Sequence, residues 1–342
     1  MIIEPAPVTT PDTDDVLGIE PFLFGFGFAA DGAATPLTWE EVLSGDITKY
    51  ARVWLHLNRL SRQAQGWLYR KSGLDKVATQ SLLQEDTRPR STRHNHGFLI
   101  NLRGVNLNAG EALEDMLALR MWASETLLIT LRSKPIQATR DVQALVKAGE
   151  APESTGGLVA ALANALTNRM EPEIAAFDEQ ADGFEDDILD PNVRVGRAEL
   201  AEFRRKVLAL RRYIVPQREA LSQLVREGSA AAFFSETDVL YLRESVDRVT
   251  RLAEDLDAIR ERSVVLQEQI MEERSDLMNQ RLFVLSILSA VFLPISFVTG
   301  LFGVNVGGIP GVDSPLAFGT LVVSLIVATG AMLAVFRWQR WI

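Results

Sequence analysis

The run GLFGVNVGGIPG, Gly300–Gly311, decides how the rest of the chain is read. It places one asparagine, Asn305, among glycines at the turn between two long apolar stretches. Taken alone, Gly303-Val304-Asn305 has two readings. Asparagine and glycine both tolerate the left-handed backbone on which helices end. A side-chain amide also offers a neutral oxygen to a cation. The flanking sequence has to separate the two.

Upstream, no charged residue occurs between Arg281 and Asp313. The stretch LFVLSILSAVFLPISFVTGLF, Leu282–Phe302, is long enough as a helix to cross about 30 Å of hydrocarbon. Downstream, SPLAFGTLVVSLIVATGAMLAVF, Ser314–Phe336, can do the same, so the second span is expected over 315–336. RWQRW follows, placing Arg337, Trp338, Arg340 and Trp341 as interfacial anchors in a basic cytoplasmic tail over 337–342. The loop between the spans, 303–314, has no Lys or Arg, so both termini are expected in the cytoplasm.

The 342 residues contain no cysteine, which excludes disulfides and thiolate metal sites. The formal net charge of −10 argues against nucleic acid and suits cationic partners. From Met278 onward the only charged residues are Arg281, Asp313, Arg337 and Arg340, so the two parts of the chain suit different solvents. Residues 1–20 carry three prolines before position 12 and no basic targeting segment; they read as a disordered acidic tail.

Residues 21–155 read as a layered α/β domain, α+β in class. Strands are expected at Pro21–Phe28, Ala51–Asn58, His96–Leu107, Leu117–Ser124 and Thr126–Arg132, with helices at about Ser61–Ser72, Asp75–Gln84 and Ile136–Ala148. Residues 156–234 read as helical, with one segment over Leu158–Leu189 and two shorter ones over Arg197–Ile214 and Pro216–Glu227. Over 235–281 lies a stalk helix. Ser235 and Asp238 form a capping-box-like start, and Leu242, Val246, Val249, Ala253 and Leu256 give a coiled-coil-like seam. Neither glycine nor proline interrupts it before Pro294, which predicts one helix of roughly sixty residues, ~90 Å. Its apolar stripe is expected to need partner copies.

At this point the sequence resembles a known family. PISFVTGLFGVN, Pro294–Asn305, is similar to the end of the first transmembrane helix in the CorA family of metal-ion transporters, whose signature is Gly-Met-Asn after a proline, a hydroxyl residue and a phenylalanine. Pro294, Ser296, Phe297, Gly300, Gly303 and Asn305 match. Val304 departs from the Met of the magnesium transporters, and Gly-Val-Asn before Gly-Ile-Pro-Gly looks like the zinc-associated ZntB branch. The order of parts matches as well. The resemblance implies an N-terminal cytoplasmic αβα domain and a funnel-shaped homopentamer in a bacterial inner membrane, with the first span lining a central pore. Two helices cannot enclose an aqueous path, so a ring of copies is needed. A ring of Asn305 amides could then hold a hydrated divalent cation by its water shell.

Reading back from Asn305 at helical spacing gives Ser296, Leu293, Ser289, Leu285, Leu282 and Met278, with Asn279 alongside. Leucine rings alternating with serines would make a narrow path that gates by dewetting. The alternative is that the serines let helices pack closely. Zinc prefers nitrogen and sulfur, and the only histidines are His56, His94 and His96, none near the expected pore. Zinc would therefore pass held by oxygens and water, as transported cargo with no resident cofactor. Asp178–Asp190, Glu268, Glu272, Glu273 and Asp276 are candidates for concentrating cations or are solvated charge; His94 and His96 are a candidate metal pair or have a surface or core role. Only Asp313 is acidic in the loop, which leaves room for proton coupling, as suggested for the ZntB branch, although no carboxylate or histidine in the spans could carry the proton. The reading is a zinc transporter, ahead of a magnesium or cobalt channel. A membrane-anchored coiled-coil signalling protein is the rival of another class. An enzyme is not expected: GFGF at Gly25–Phe28 lacks the third glycine and following helix of a phosphate loop.

Overall fold

The computed structural model describes residues 19–85, 87–190, 193, 196–311 and 313–339. The expected tail, 1–20, therefore lies outside the described residues except for Ile19 and Glu20, and so do Arg340 and Trp341.

Seven strands form one sheet: β1 (Phe22–Phe28), β2 (Ala34–Pro36), β3 (Arg52–Asn58), β4 (Arg90–His94), β5 (Gly97–Gly104), β6 (Leu117–Ala123) and β7 (Leu127–Arg132). Their order is β2-β1-β3-β7-β6-β5-β4. Among the described strands only β3 and β7 pair in parallel. The two edge strands escape the sequence reading for a physical reason. β2 is three residues ending at Pro36 and β4 is RSTRH, neither with an alternating apolar face, as suits edges that must not recruit further strands. The outward N–H of Arg93 on β4 donates to Glu227 Oε2 at 3.0 Å.

Helices cover both faces. On one, α1 (Trp39–Ser44), α2 (Arg62–Arg70) and α3 (Lys76–Leu83) enclose a core that includes Val53, Leu55, Leu57, Trp67, Leu82, Ile129 and Leu131. On the other lie α4 (Gln137–Lys147) and α5 (Thr155–Leu189), where a Cβ on Gly104 of β5 would strike Leu166 at 2.7 Å. β5 is buried along its whole length, as a strand covered on both faces must be. This face also buries His56 among Trp54, Phe24 and Thr130.

Next come α6 (Arg197–Gly228) and α7 (Glu236–Phe302). The break expected at Pro216 does not occur: α6 runs through it. An interior proline costs about 3 kcal/mol, but Leu210, Ile214, Leu221 and Leu224 are buried on both sides of it, and such side chains contribute ~1.5–3 kcal/mol each.

The 67 residues of α7 begin as expected, with Asp238 N–H donating to Ser235 Oγ at 3.1 Å and Ser235 N–H to Asp238 Oδ2 at 2.9 Å. The expectation that its stripe needs partner copies is corrected. Leu242, Ser245, Val249, Leu252, Leu256, Ile259, Ser263 and Leu266, alternating three and four apart, are all buried within this one chain. Their cover is α5, running parallel, and α6, running antiparallel. Arg248 and Arg262 bond to α5 in ascending order, while Arg204 and Arg211 of α6 bond to Gln267 and Asp257 in descending order. The heptad pattern is real, but it belongs to an intrachain three-helix bundle.

Contacts divide the chain into two compact units at Gln267/Glu268. The second unit contains the end of α7, a loop, and α8 (Ala317–Trp338).

Candidate functional site

In the second unit the helical stretch Leu282–Phe302 and α8 bury no residue, although each is long and apolar enough to cross a membrane. Half-burial marks one stripe on each: Ile287, Val291, Ile295 and Val298 on α7, and Ala317, Leu321, Leu325, Thr329, Met332 and Phe336 on α8. These are the faces on which the two helices shield one another. At ~100° per residue, Met278, Leu282, Leu285, Ser289, Leu293 and Ser296 centre on the opposite side of α7. They point away from α8, with Leu293 75% exposed. Asn279 lies one step around. Ser289 Oγ donates to the Leu285 carbonyl at 2.9 Å, so its outward side is an oxygen lone pair.

α7 ends at Phe302, and Gly303 N–H closes it onto the carbonyl of Thr299 at 2.9 Å. Val306 N–H then donates to the Val304 carbonyl at 2.9 Å, which makes Asn305 the central residue of a γ-turn. Among the described residues the left-handed glycines of this loop are Gly308 and Gly311; Gly303 and Asn305 do not adopt that conformation. The left-handed explanation of Asn305 therefore does not apply, and no hydrogen bond among the described residues claims its carboxamide.

Other sequence candidates have structural tasks. Asp178, Asp182 and Glu185, from the acidic segment, converge on Arg262: Nη1 meets Asp178 Oδ1 at 2.8 Å, Nε meets Glu185 Oε1 at 2.9 Å, and Nη2 bonds Asp182. The Glu185 carboxylate, and after it that of Asp182, raises the pKa of Arg262. Arg248, two heptads earlier, holds Glu171 through two bonds of 2.7 Å, with Asn164 and Asn168 at 2.8 and 2.6 Å. The acceptors stand at i, i+4 and i+7 on α5 in both cases. A fourteen-residue repeat on both helices was the signal that could have revealed these forks. His94 Nε2 lies 2.6 Å from Asp75 Oδ2, too close to admit a metal between them, and both His94 and His96 stand edge-on to Trp122. Glu268, Glu272, Glu273 and Asp276 are exposed on α7, and no group of three metal-binding side chains occurs among the described residues.

A profile described as "CorA-like Mg2+ transporter protein" matches residues 51–338. The chain belongs to this CorA-like family. Within it, the chain is 36% identical over 322 residues to the divalent cation transporter CmaX of Pseudomonas aeruginosa, covering 94% of this chain and 96% of CmaX. It is 33% identical over 311 residues to the zinc transport protein ZntB of Pectobacterium atrosepticum, covering 91% and 93%. The structure of full-length CmaX superposes with a TM-score of 0.81 at 37% identity, covering 94% of this chain and 99% of that one. CorA from Methanocaldococcus jannaschii shares the fold, with a TM-score of 0.78 at 17% identity over 93% and 98%. These relatives are named as transporters, not enzymes. Together with the two apolar helices, the family makes this a membrane protein.

Proposed function

We propose that this chain transports divalent cations across the bacterial inner membrane, with zinc as cargo. It does so as a homopentamer with cytoplasmic termini and an Asn305 ring at the outer mouth of the pore. The observation that carries the reading is the position of Asn305, at the centre of the γ-turn that follows α7, with a carboxamide that no described group engages. The zinc and divalent-cation transporters that match over nine-tenths of the chain support the class of cargo. Copies arranged about an axis would bring the Met278–Ser296 stripe inward, because α8 shields the opposite side of α7. Gly303 and Val304 then form the rim beneath the amides, and neutral oxygens hold a hydrated cation loosely enough to release it. Glu268, Glu272 and Asp276 would line the cytoplasmic approach. Arg337, Trp338, Arg340 and Trp341 anchor the second span at the cytoplasmic interface.

The test is radiolabelled zinc and magnesium flux into proteoliposomes, with and without a pH gradient. Wild type is expected to carry zinc, and Asn305→Ala to abolish that flux without changing oligomer size in detergent. Magnesium flux without zinc flux would move the cargo to the magnesium class. Full zinc flux in Asn305→Ala would remove the amide ring from the mechanism.

A further inference from the structure

The carboxyl ends of β3 and β7 gather positive charge that no described acid balances. The two strands are parallel neighbours, with Asn58 paired to Arg132 at the end of the register and Arg59 N–H donating to the Arg132 carbonyl at 2.9 Å. The chain leaves β3 into α2 on one face of the sheet and leaves β7 into α4 on the other. Where neighbouring parallel strands send their helices to opposite faces, a crevice opens outside the carboxyl ends, and open α/β sheets take ligands there.

Arg132 stands at this mouth on the α4 side, in line with Leu128 and Thr130, and is half-buried. Arg140 lies in the first turn of α4. Burial and the charge of Arg140 both weaken the hold of Arg132 on its proton. Asp141, next to Arg140, and Glu111, the partner of nearby Lys134, are engaged elsewhere. Asp141 is taken by Arg169 through bonds of 2.9 and 2.8 Å, and Glu111 by Lys134 and Asn106, each at 2.7 Å. Arg59 spends its guanidinium on the neutral oxygens of Ser133 and Leu83. A half-buried cation beside a second cation is unfavourable unless an anion completes the site. The planar donor fork of arginine matches the oxygens of phosphate.

We propose that the crevice between α2 and α4 binds a small phosphate-type oxyanion through Arg132 and Arg140. The inference does not depend on the cargo or on the Asn305 ring. It is tested by titrating inorganic phosphate calorimetrically into the full-length protein in detergent, in metal-free, low-salt buffer. The variants are Arg132→Gln, Arg140→Gln and, as a control, Arg205→Gln, whose side chain is 76% exposed on α6. Wild type and control should bind saturably, and either crevice substitution should weaken binding by about tenfold or more. Circular dichroism should show unchanged helix content; because Arg140 is exposed, its variant keeps the test decisive if Arg132→Gln folds poorly. Absence of saturable binding by wild type, or equal affinity in all four proteins, would overturn the proposal.

Discussion

Up to Gln267 the long helix α7 buries a heptad stripe against α5 and α6; beyond Glu268 the same unbroken helix leaves Leu282, Leu285 and Leu293 open. Both halves are apolar at helical spacing, and both sit in one element of 67 residues. What differs is the supply of cover. The first half has two neighbours from its own chain, one parallel and one antiparallel, to fill the seam. The second has only α8, which shields one side of it. Periodicity reports that a face will be buried but not by what, and here the cover must be lipid or further copies.

The sharpest way to break this contrast is to truncate one leucine in each half. Leu256→Ala removes a fully buried side chain and should cost about 2–5 kcal/mol in chemical unfolding followed by circular dichroism. Leu285→Ala should change unfolding in detergent by less than about 0.5 kcal/mol while altering zinc flux. Equal costs would mean that the two halves are covered alike.

Acid should separate the units next. His56 is buried, its Nδ1 is 2.8 Å from Thr130 Oγ1, and burial first, then the charge of Arg132, pushes its pKa down to about 3. The unfolded chain takes up this proton at about 6.5, so stability is full above that pH and falls as the pH drops toward the folded value. The slope should approach ~1.4 kcal/mol per pH unit. Neither apolar span contains Asp, Glu or His, so the helix lost at pH 4 should belong to the first unit. In His56→Gln the dependence should flatten, as read by denaturant midpoints across pH 4–7.

Much of this division was legible in the sequence. The apolar and β-branched runs Ala51–Asn58 and Thr126–Arg132, the uncharged interval after Arg281, and the Ser235/Asp238 cap all encode local physics, and strands, apolar helices and a cap appear there. What failed was non-local. Pro216 suggests a break because the chain cannot announce that Ile214 and Leu221 are held on both sides of it. Ser245 and Ser263 do not read as seam positions in sequence because a hydroxyl suits solvent, yet each is buried by donating to a carbonyl of its own helix. The acidic segment reads as available to metal in sequence because Arg262, which occupies its carboxylates, lies 77–84 residues away in the chain. The Met278–Ser296 stripe and Asn305 were legible as a pattern, and their common direction came only from seeing which side of α7 faces α8.

The two arginine forks allow a finer test. Arg248 faces one carboxylate and two amides, whereas Arg262 faces three carboxylates. Arg262→Gln leaves like charges facing one another and should destabilise by about 1 kcal/mol at low ionic strength, with the loss shrinking as salt screens the repulsion. Arg248→Gln loses mainly hydrogen bonds and should depend far less on salt. Denaturant unfolding at two salt concentrations reads the difference, and parallel salt responses would show that fork charge does not matter.

Asp255 sits seven residues from each arginine, where a third fork would fall, and it brings the wrong sign. Partial burial raises its pKa, the nearby Asp178 and Glu254 raise it further, and Arg251 opposes them. The ionised form is thus disfavoured in the folded chain. The cost is present at neutral pH and fades as the pH falls from the raised value toward the ordinary carboxylate range. Asp255→Asn should stabilise the bundle by only a few tenths of a kcal/mol at pH 7, since the site is exposed and screened. That gain should shrink as the pH falls and the wild-type carboxyl takes up its proton. A loss at pH 7 would mean that Asp255 makes a favourable contact across the seam, and the alternation of charge along α7 would need another cause.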